Sequence, residues 1–279
     1  MKRLIKRMVV SISSRLSRTR VGEVVAQSVL ASAMQKTVAV SHQGVDIEFT
    51  TPNPLLHWRA TSFASKEPET LAWIDGFGEG ETLWDIGANV GLYSLYAAKA
   101  RRAKVFAFEP SIFNLEILGR NIALNELTNQ ILIVPTALSD QSGFAQMNHS
   151  TTEWGGALSS FGVDFGADGK DLPTEISYQT LGMRPDELVD SGLLPQPDHI
   201  KIDVDGIEHI ILRGASELLK STKSVLVEIN EDFTAQRDLS DSYLKSAGLL
   251  LMGKERSIFT ASAGSKTPNV YNQIWARAD

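Results

Sequence analysis

The chain contains no cysteine. That single absence excludes disulfide frameworks, thiolate zinc sites and cysteine nucleophiles together. It suits a reducing compartment, and a cytoplasmic location is the expectation. No apolar run is long enough to span a bilayer. Basic residues are outnumbered, 27 Lys and Arg against 33 Asp and Glu, for a net charge of -6. This balance argues against a nucleic-acid surface covering the protein. Only five histidines occur, and His42, His57, His199 and His209 show no spacing that suggests a metal site. Internal repeats and low-complexity segments are also missing. What is present, 279 residues with 43% hydrophobic and 22% charged content, can bury a full core as one large domain or a domain with an extension.

One stretch organises the rest: Thr82-Leu-Trp-Asp-Ile-Gly-Ala-Asn-Val-Gly-Leu-Tyr-Ser94. A short apolar strand (Leu83, Trp84, Ile86) runs into a turn with Asp85, Gly87, Asn89 and Gly91, and a helix follows with Leu92, Leu95 and Tyr96 on one face. Strand, glycine turn and helix form the first crossover of a doubly wound α/β sheet, and the backbone N–H groups at such a helix start cradle a ligand. The spacing is Gly-x-Asn-x-Gly rather than Gly-x-Gly-x-x-Gly, with Asp85 at the strand end. A carboxylate there repels a dinucleotide pyrophosphate but suits S-adenosylmethionine (SAM), which carries a sulfonium and an ammonium and no phosphate.

Before this stretch, the first 20 residues hold Lys2, Arg3, Lys6, Arg7, Arg15, Arg18 and Arg20 and no acid. No small-residue cleavage site follows Met8–Ile12, so a signal peptide is not expected. Two readings stand for residues 1–20: a solvated helix, or a basic amphipathic segment in peripheral contact with anionic lipid. Val21–Gln35 reads as a helix, Thr37–Thr50 as a hairpin broken at His42-Gln43-Gly44, and Glu67-Pro68-Glu69 as a helix start. Residues 1–80 are thus expected to form a basic helix and a helix/hairpin cap, and residues 81–279 the SAM-binding domain.

After it, Lys104–Phe108 is a second strand ending at Glu109-Pro110. Glu109 lies 24 positions after Asp85, where an acid in this kind of fold accepts hydrogen bonds from both ribose hydroxyls. Ile131–Val134 is a third strand, and just past it Asp140, with Ser139 second, is placed to reach the adenine amino group; a plain turn before Gly143 is the other reading of Asp140. Met147–Pro173, rich in Ser, Thr, Gly and Asp, reads as a long lid or binding loop carrying His149, Trp154 and Phe161. A strand at Ile176–Thr180 and a helical turn at Pro185–Val189 lead to His199–Asp203, the fourth strand of the sheet, and Ser224–Ile229 is the fifth. A helix, Leu239–Ala247, and a final strand pair, Leu249–Met252 and Val270–Trp275, close the chain.

Asp85-Ile-Gly-Ala-Asn-Val-Gly91, Phe108-Glu-Pro110, Ala137-Leu-Ser-Asp140 and Ile200-Lys-Ile-Asp-Val-Asp-Gly-Ile-Glu208 together resemble the FkbM family of SAM-dependent methyltransferases, over roughly residues 65 to 232. Arg59–Trp73 is also similar to members of that family. The resemblance implies a class I, Rossmann-like seven-stranded sheet with helices on both faces, and O-methylation of a saccharide hydroxyl or a small, polyketide-like acceptor. Two positions depart from the family pattern. Asp205 stands where Glu is usual, and Asn230 where His is frequent.

Methyl transfer from a sulfonium has a neutral leaving group, so alignment supplies much of the acceleration and the acceptor hydroxyl needs a base. Asp203, Asp205, Glu208 and Glu228 all fall near the carboxyl ends of strands four and five, where an open α/β sheet binds ligands. Asp205 and Glu208 are the candidate bases, with His149 as a competing loop base; Asp203 joins Asp85, Gly87, Asn89, Gly91, Glu109, Ser139 and Asp140 as a candidate cofactor contact. Glu208 also reads as a helix-start carboxylate, and His149 as an exposed loop residue. A magnesium site from Asp203 or Asp205 with Glu228 and Asn230 is a further reading. Two other function classes remain open at this stage: a nicotinamide-dependent oxidoreductase, opposed by Asp85, and a non-catalytic SAM-fold scaffold.

Overall fold

A computed structural model describes residues 18–256 and 269–278. The basic segment at residues 1–20 therefore lies, up to residue 17, outside the described residues. Helix α1 (Arg20–Met34) is followed by a hairpin of β1 (Thr37–His42) and β2 (Val45–Thr50). Short helices α2 (Pro54–Thr61), α3 (Phe63–Lys66) and α4 (Pro68–Asp75) lead into β3 (Thr82–Ile86), and α5 (Leu92–Arg101) follows the glycine turn. Next come β4 (Lys104–Phe108), α6 (Ile112–Leu124) and β5 (Ile131–Val134).

The main sheet has seven strands. Beyond β3, β4 and β5 it contains β10 (His199–Ile202), β11 (Ser224–Asn230), β12 (Leu250–Arg256) and β13 (Val270–Ala276), in the order β12-β13-β11-β10-β3-β4-β5. Strands β11, β10, β3, β4 and β5 are parallel, and β13 is antiparallel to both its neighbours. This is the sheet that the resemblance implies. The chain order reverses between β3 and β10, so the switch point where such sheets bind ligands falls at Ile86 and Ile202.

Residue alternation explains the two-sided burial. Leu83, Val105 and Ala107 face one apolar core with α5 and α6; Trp84, Ile86, Phe106 and Phe108 face the other. The first core also takes in Phe49, Leu56, Phe63 and Ile74, so the hairpin and short helices pack directly on the sheet's helices. The free edge of β2 is capped from α6. Asn121 and Asn125, one helical turn apart, accept from the backbone N–H groups of Thr50 and Glu48 at 2.8 and 3.0 Å.

The expected loop Met147–Pro173 is a partial misreading. Strands β6 (Ala137–Leu138), β7 (Gly143–His149), β8 (Ser159–Phe161) and β9 (Ile176–Met183) form a second, four-stranded sheet through it, in the order β6-β9-β7-β8. Met147 and Phe161 anchor this sheet in the second core. Irregular backbone is confined to residues 150–158 and 162–175, broken by one bridge between Phe165 and Asp171. Helix α7 (Pro185–Asp190) precedes β10, α8 (Glu208–Gly214) follows it, and α9 (Thr234–Ser246) follows β11. Among the described residues, no helix is long and apolar enough to cross a membrane.

Candidate active site

The turn after β3 is shaped by close approach. Gly87 has φ +83°, and a Cβ there would come within 2.0 Å of the Asp203 carbonyl oxygen, so only glycine lets the ends of β3 and β10 meet. Asn89, also left-handed at φ +51°, donates its backbone N–H to Glu109 Oε2 at 2.8 Å and its amide Nδ2 to the Gly156 carbonyl at 2.9 Å. Its Oδ1 is buried without a hydrogen-bond partner. Gly91, at φ +88°, begins α5 against Leu118.

Glu109 ends β4 as the sequence reading requires. Its Oε1 accepts from Ser111 N at 2.7 Å, and burial pushes its carboxyl up to about 8 although both oxygens accept backbone N–H groups. Beside it opens a narrow slot walled by Phe108, Leu138, Phe161 and Ile207 and by the polar Asn114, Thr136 and Ser160. The residues fit SAM: an acid for the ribose, a left-handed turn whose Asn89 Oδ1 is buried without a partner, and apolar and polar side chains together for adenine.

Three of the expected cofactor contacts lie away from the slot. Ser139 and Asp140 lie outside the slot, which takes Thr136, Ala137 and Leu138 from the same segment instead. Asp140 pairs with Arg213, and both line a separate surface depression with Ser139 and Phe144, because the backbone of Ser139 is held by Met183 of the second sheet. Asp85 lines neither cavity. It is 1% exposed, its Oδ2 accepts from Ser94 Oγ at 2.5 Å, and burial raises its carboxyl against the pull of Lys201.

A second cavity of about 540 Å³ adjoins the slot. Trp58, Arg59 and Lys66 wall it from the short helices, and Asp203, Asp205 and Glu228 from the sheet ends. Both cavities share Gly87, Asn89, Gly156, Ala157, Asp203 and Asp205, which therefore mark where they meet. The segment Gly155–Ser159 is pinned across this junction. Arg59 Nε donates to the Gly155 carbonyl at 2.7 Å, and Leu158 N and Ser159 N donate to Asp205 Oδ2 at 2.7 and 3.3 Å.

The carboxylates here differ in state for definite reasons. Burial works against ionising Asp203, but Lys201, whose Nζ lies 3.0 Å from Oδ2, and Lys66 outweigh it and hold the carboxyl below its usual range. Burial, then the negative Asp203, pushes Asp205 up to about 6. The same two causes, burial first, raise the Glu228 carboxyl well above its usual value. Lys66 and the 1%-exposed Glu67 form an ion pair at 2.5 Å beside this group.

Two of the three candidate bases are not at the junction. Glu208 is 1% exposed and lines neither cavity; its oxygens accept from Val204 N and Gly206 N at 3.1 Å and from the Gln236 amide, so it fixes the turn that carries Asp205. His149 is not an exposed loop residue. It ends a strand, is 4% exposed, and its Nε2 lies 2.9 Å from Tyr178 Oη, while burial lowers its pKa. Sequence reasoning also missed Arg59 and Lys66. The Arg59–Trp73 resemblance was their only signal, and it carried no role.

Residues 85–248 match the methyltransferase FkbM domain. Hexuronic acid methyltransferase AglP of Haloferax volcanii is 26% identical over 198 residues, covering 71% of this chain and 76% of that protein. Methyltransferase sdnD of Sordaria araneosa is 28% identical over 155 residues, 48% of this chain and 60% of that protein. The crystal structure of an FkbM methyltransferase from Methylobacillus flagellatus aligns with a TM-score of 0.47 at 15% identity, covering 80% of this chain and 52% of that one. The oxidoreductase and scaffold readings give way to these matches. The chain belongs to the FkbM family of SAM-dependent methyltransferases.

Proposed function

We propose that the protein methylates a hydroxyl of a saccharide or small-molecule acceptor held in the cavity of about 540 Å³, with Asp205 as the base. The observation that carries this reading is the shared wall. Asp205 borders both the slot that fits SAM and the cavity large enough for a sugar. When bound, SAM supplies a methyl carbon on a sulfonium, a neutral leaving group. Glu109 and the turn at Gly87 and Asn89 would hold SAM, and Asp205 would take the proton of the acceptor hydroxyl as that oxygen is methylated. Asp205 is suited to this because its pKa of about 6 leaves it ionised at neutral pH yet more basic than an ordinary carboxylate. Asp203, held below the usual carboxylate range by Lys201, is a weaker base.

Magnesium enters no step of this proposal. Among the described residues, no three His, Cys, Asp or Glu side chains form a metal-holding group. Asn230 is engaged elsewhere, donating to the Ala167 carbonyl and accepting from Asp232 N. Arg59 and Lys66 add two cations to the acceptor wall, and a relative carries hexuronic acid in its name. An acidic saccharide is therefore the acceptor class to test first, and the net charge of -6 supports an acceptor other than nucleic acid.

The experiment is transfer of a labelled methyl group from SAM to paired acidic and neutral saccharides. An alkali-stable methyl ether is expected. An alkali-labile methyl ester would overturn the hydroxyl reading, since a carboxylate acceptor needs no base.

Cofactor affinity should also depend on Glu109. Ribose hydroxyls and a nearby sulfonium both favour its ionised form, so SAM binding at pH 7 is expected to release a proton, and affinity should rise as pH approaches about 8. Glu109→Ala should weaken SAM binding by roughly ten- to a hundredfold, the worth of a hydrogen bond or two to a charged group. Calorimetry in buffers of differing ionisation enthalpy measures both effects. Proton-neutral binding of unaltered strength in the variant would remove Glu109 from the site.

A further inference from the structure

Helix α1 carries an apolar stripe that nothing in the described chain covers. Thr19 caps it, accepting from Gly22 N at 3.0 Å, and of its 15 residues only Gly22 is buried. Val21, Val24, Val25 and Val29 are 75%, 62%, 55% and 63% exposed. At 100° per residue these four valines fall within one continuous arc, with Ser28 and Ser32 between them. A soluble surface helix normally turns such a stripe toward its own core. Here only the last turn does so, where Met34 packs against the first core.

The charge beside the stripe identifies what would cover it. Seven of the chain's 27 basic residues and none of its 33 acidic ones fall in the first 20 positions, although the whole chain is acidic. Arg18 and Arg20, at the helix start, are both exposed. We infer that α1 lies in the interface of an anionic lipid bilayer, with its valines in the acyl boundary and Arg18 and Arg20 on the headgroups. The helix is about 22 Å long at 1.5 Å per residue, too short to span but long enough to lie flat. A second copy stacked in parallel fits less well, because it would bring Arg18 and Arg20 of two chains together; an antiparallel copy is an outcome the test reads.

The test uses the full chain and sedimentation with vesicles, either phosphatidylcholine alone or a three-to-one mixture of phosphatidylcholine and phosphatidylserine. Binding to the mixed vesicles only is expected, weakening at high salt as headgroup attraction is screened. The double variant Val25→Glu, Val29→Glu should bind at least about tenfold less, since charges then enter the acyl boundary. Its circular dichroism and SAM affinity should match the parent, because both positions are exposed and far from any cofactor contact in sequence. Undiminished vesicle binding by the variant would assign attraction to the basic residues alone and overturn the inference. Failure of the parent to bind mixed vesicles would overturn it too. A lipid-independent dimer that the variant abolishes would show that a second copy covers the stripe.

Discussion

Asp205→Asn is expected to lower kcat by roughly 10²–10⁴-fold while SAM affinity stays near that of the parent. The substitution is conservative in every respect but the proton. Asp205 sits at φ +62°, a conformation that Asn tolerates well among residues with a Cβ. The Asn carbonyl oxygen can accept from Leu158 N and Ser159 N as the carboxylate does now. The parent's rate should rise with pH through about 6 and level off above it, because the base works only when ionised. The variant should lose that rise. Glu208→Gln is the control: it sets an amide NH2 against the donors that hold the turn, so kcat should fall through the turn's geometry while the rise with pH through about 6 persists. A full-rate Asp205→Asn enzyme would move the base to Asp203 or Glu228.

Lys201→Met should destabilise the protein by about 3–5 kcal/mol, the usual result of leaving one partner of a buried ion pair uncompensated. Lys201 is 2% exposed in β10, in register with Asp85 of β3 on one side and Leu226 of β11 on the other. Burial disfavours its charge, yet Asp203, Asp85 and Glu67 together hold its pKa above the ordinary value. Its Nζ also lies 5.1 Å from the centre of the Tyr93 ring. Removing it strands three acids. The double variant Lys201→Met, Asp203→Asn should recover part of the loss, since the carboxylate it exposed is gone. Urea unfolding of the three proteins measures both terms. A single variant as stable as the parent would mean that Lys201 is not the counter-ion that keeps Asp203 ionised.

How much of this was legible in the sequence depends on whether each signal was local. Asp85–Gly91 and Phe108-Glu-Pro110 lie at strand ends fixed by the fold, and Gly87, Asn89 and Glu109 line the slot. The seven sheet strands were equally legible, because each apolar run is short and bounded by turn residues. The second sheet was not. Gly143–His149 and Ile176–Met183 pair across more than 25 residues, and their Ser, Gln, Asn and Gly content imitates a loop. That pairing buries His149 and draws Ser139 toward Met183, so both His149 and Asp140 lie away from the slot and the cavity beside it. Glu208 was misjudged for another reason. A carboxylate beside a glycine turn can serve the turn as readily as a substrate, and only the N–H groups of Val204 and Gly206 distinguish the two. Arg59 and Lys66 reach the site from helices far earlier in the chain, a juxtaposition that no local pattern encodes.

The most direct test of the account is a crystal structure with S-adenosylhomocysteine bound. The account predicts both ribose hydroxyls on Glu109, adenine in the slot between Leu138 and Phe161, and sulfur facing the junction of Gly87, Asn89 and Asp205. A ligand whose ribose misses Glu109, or whose sulfur points away from Asp205, would contradict it.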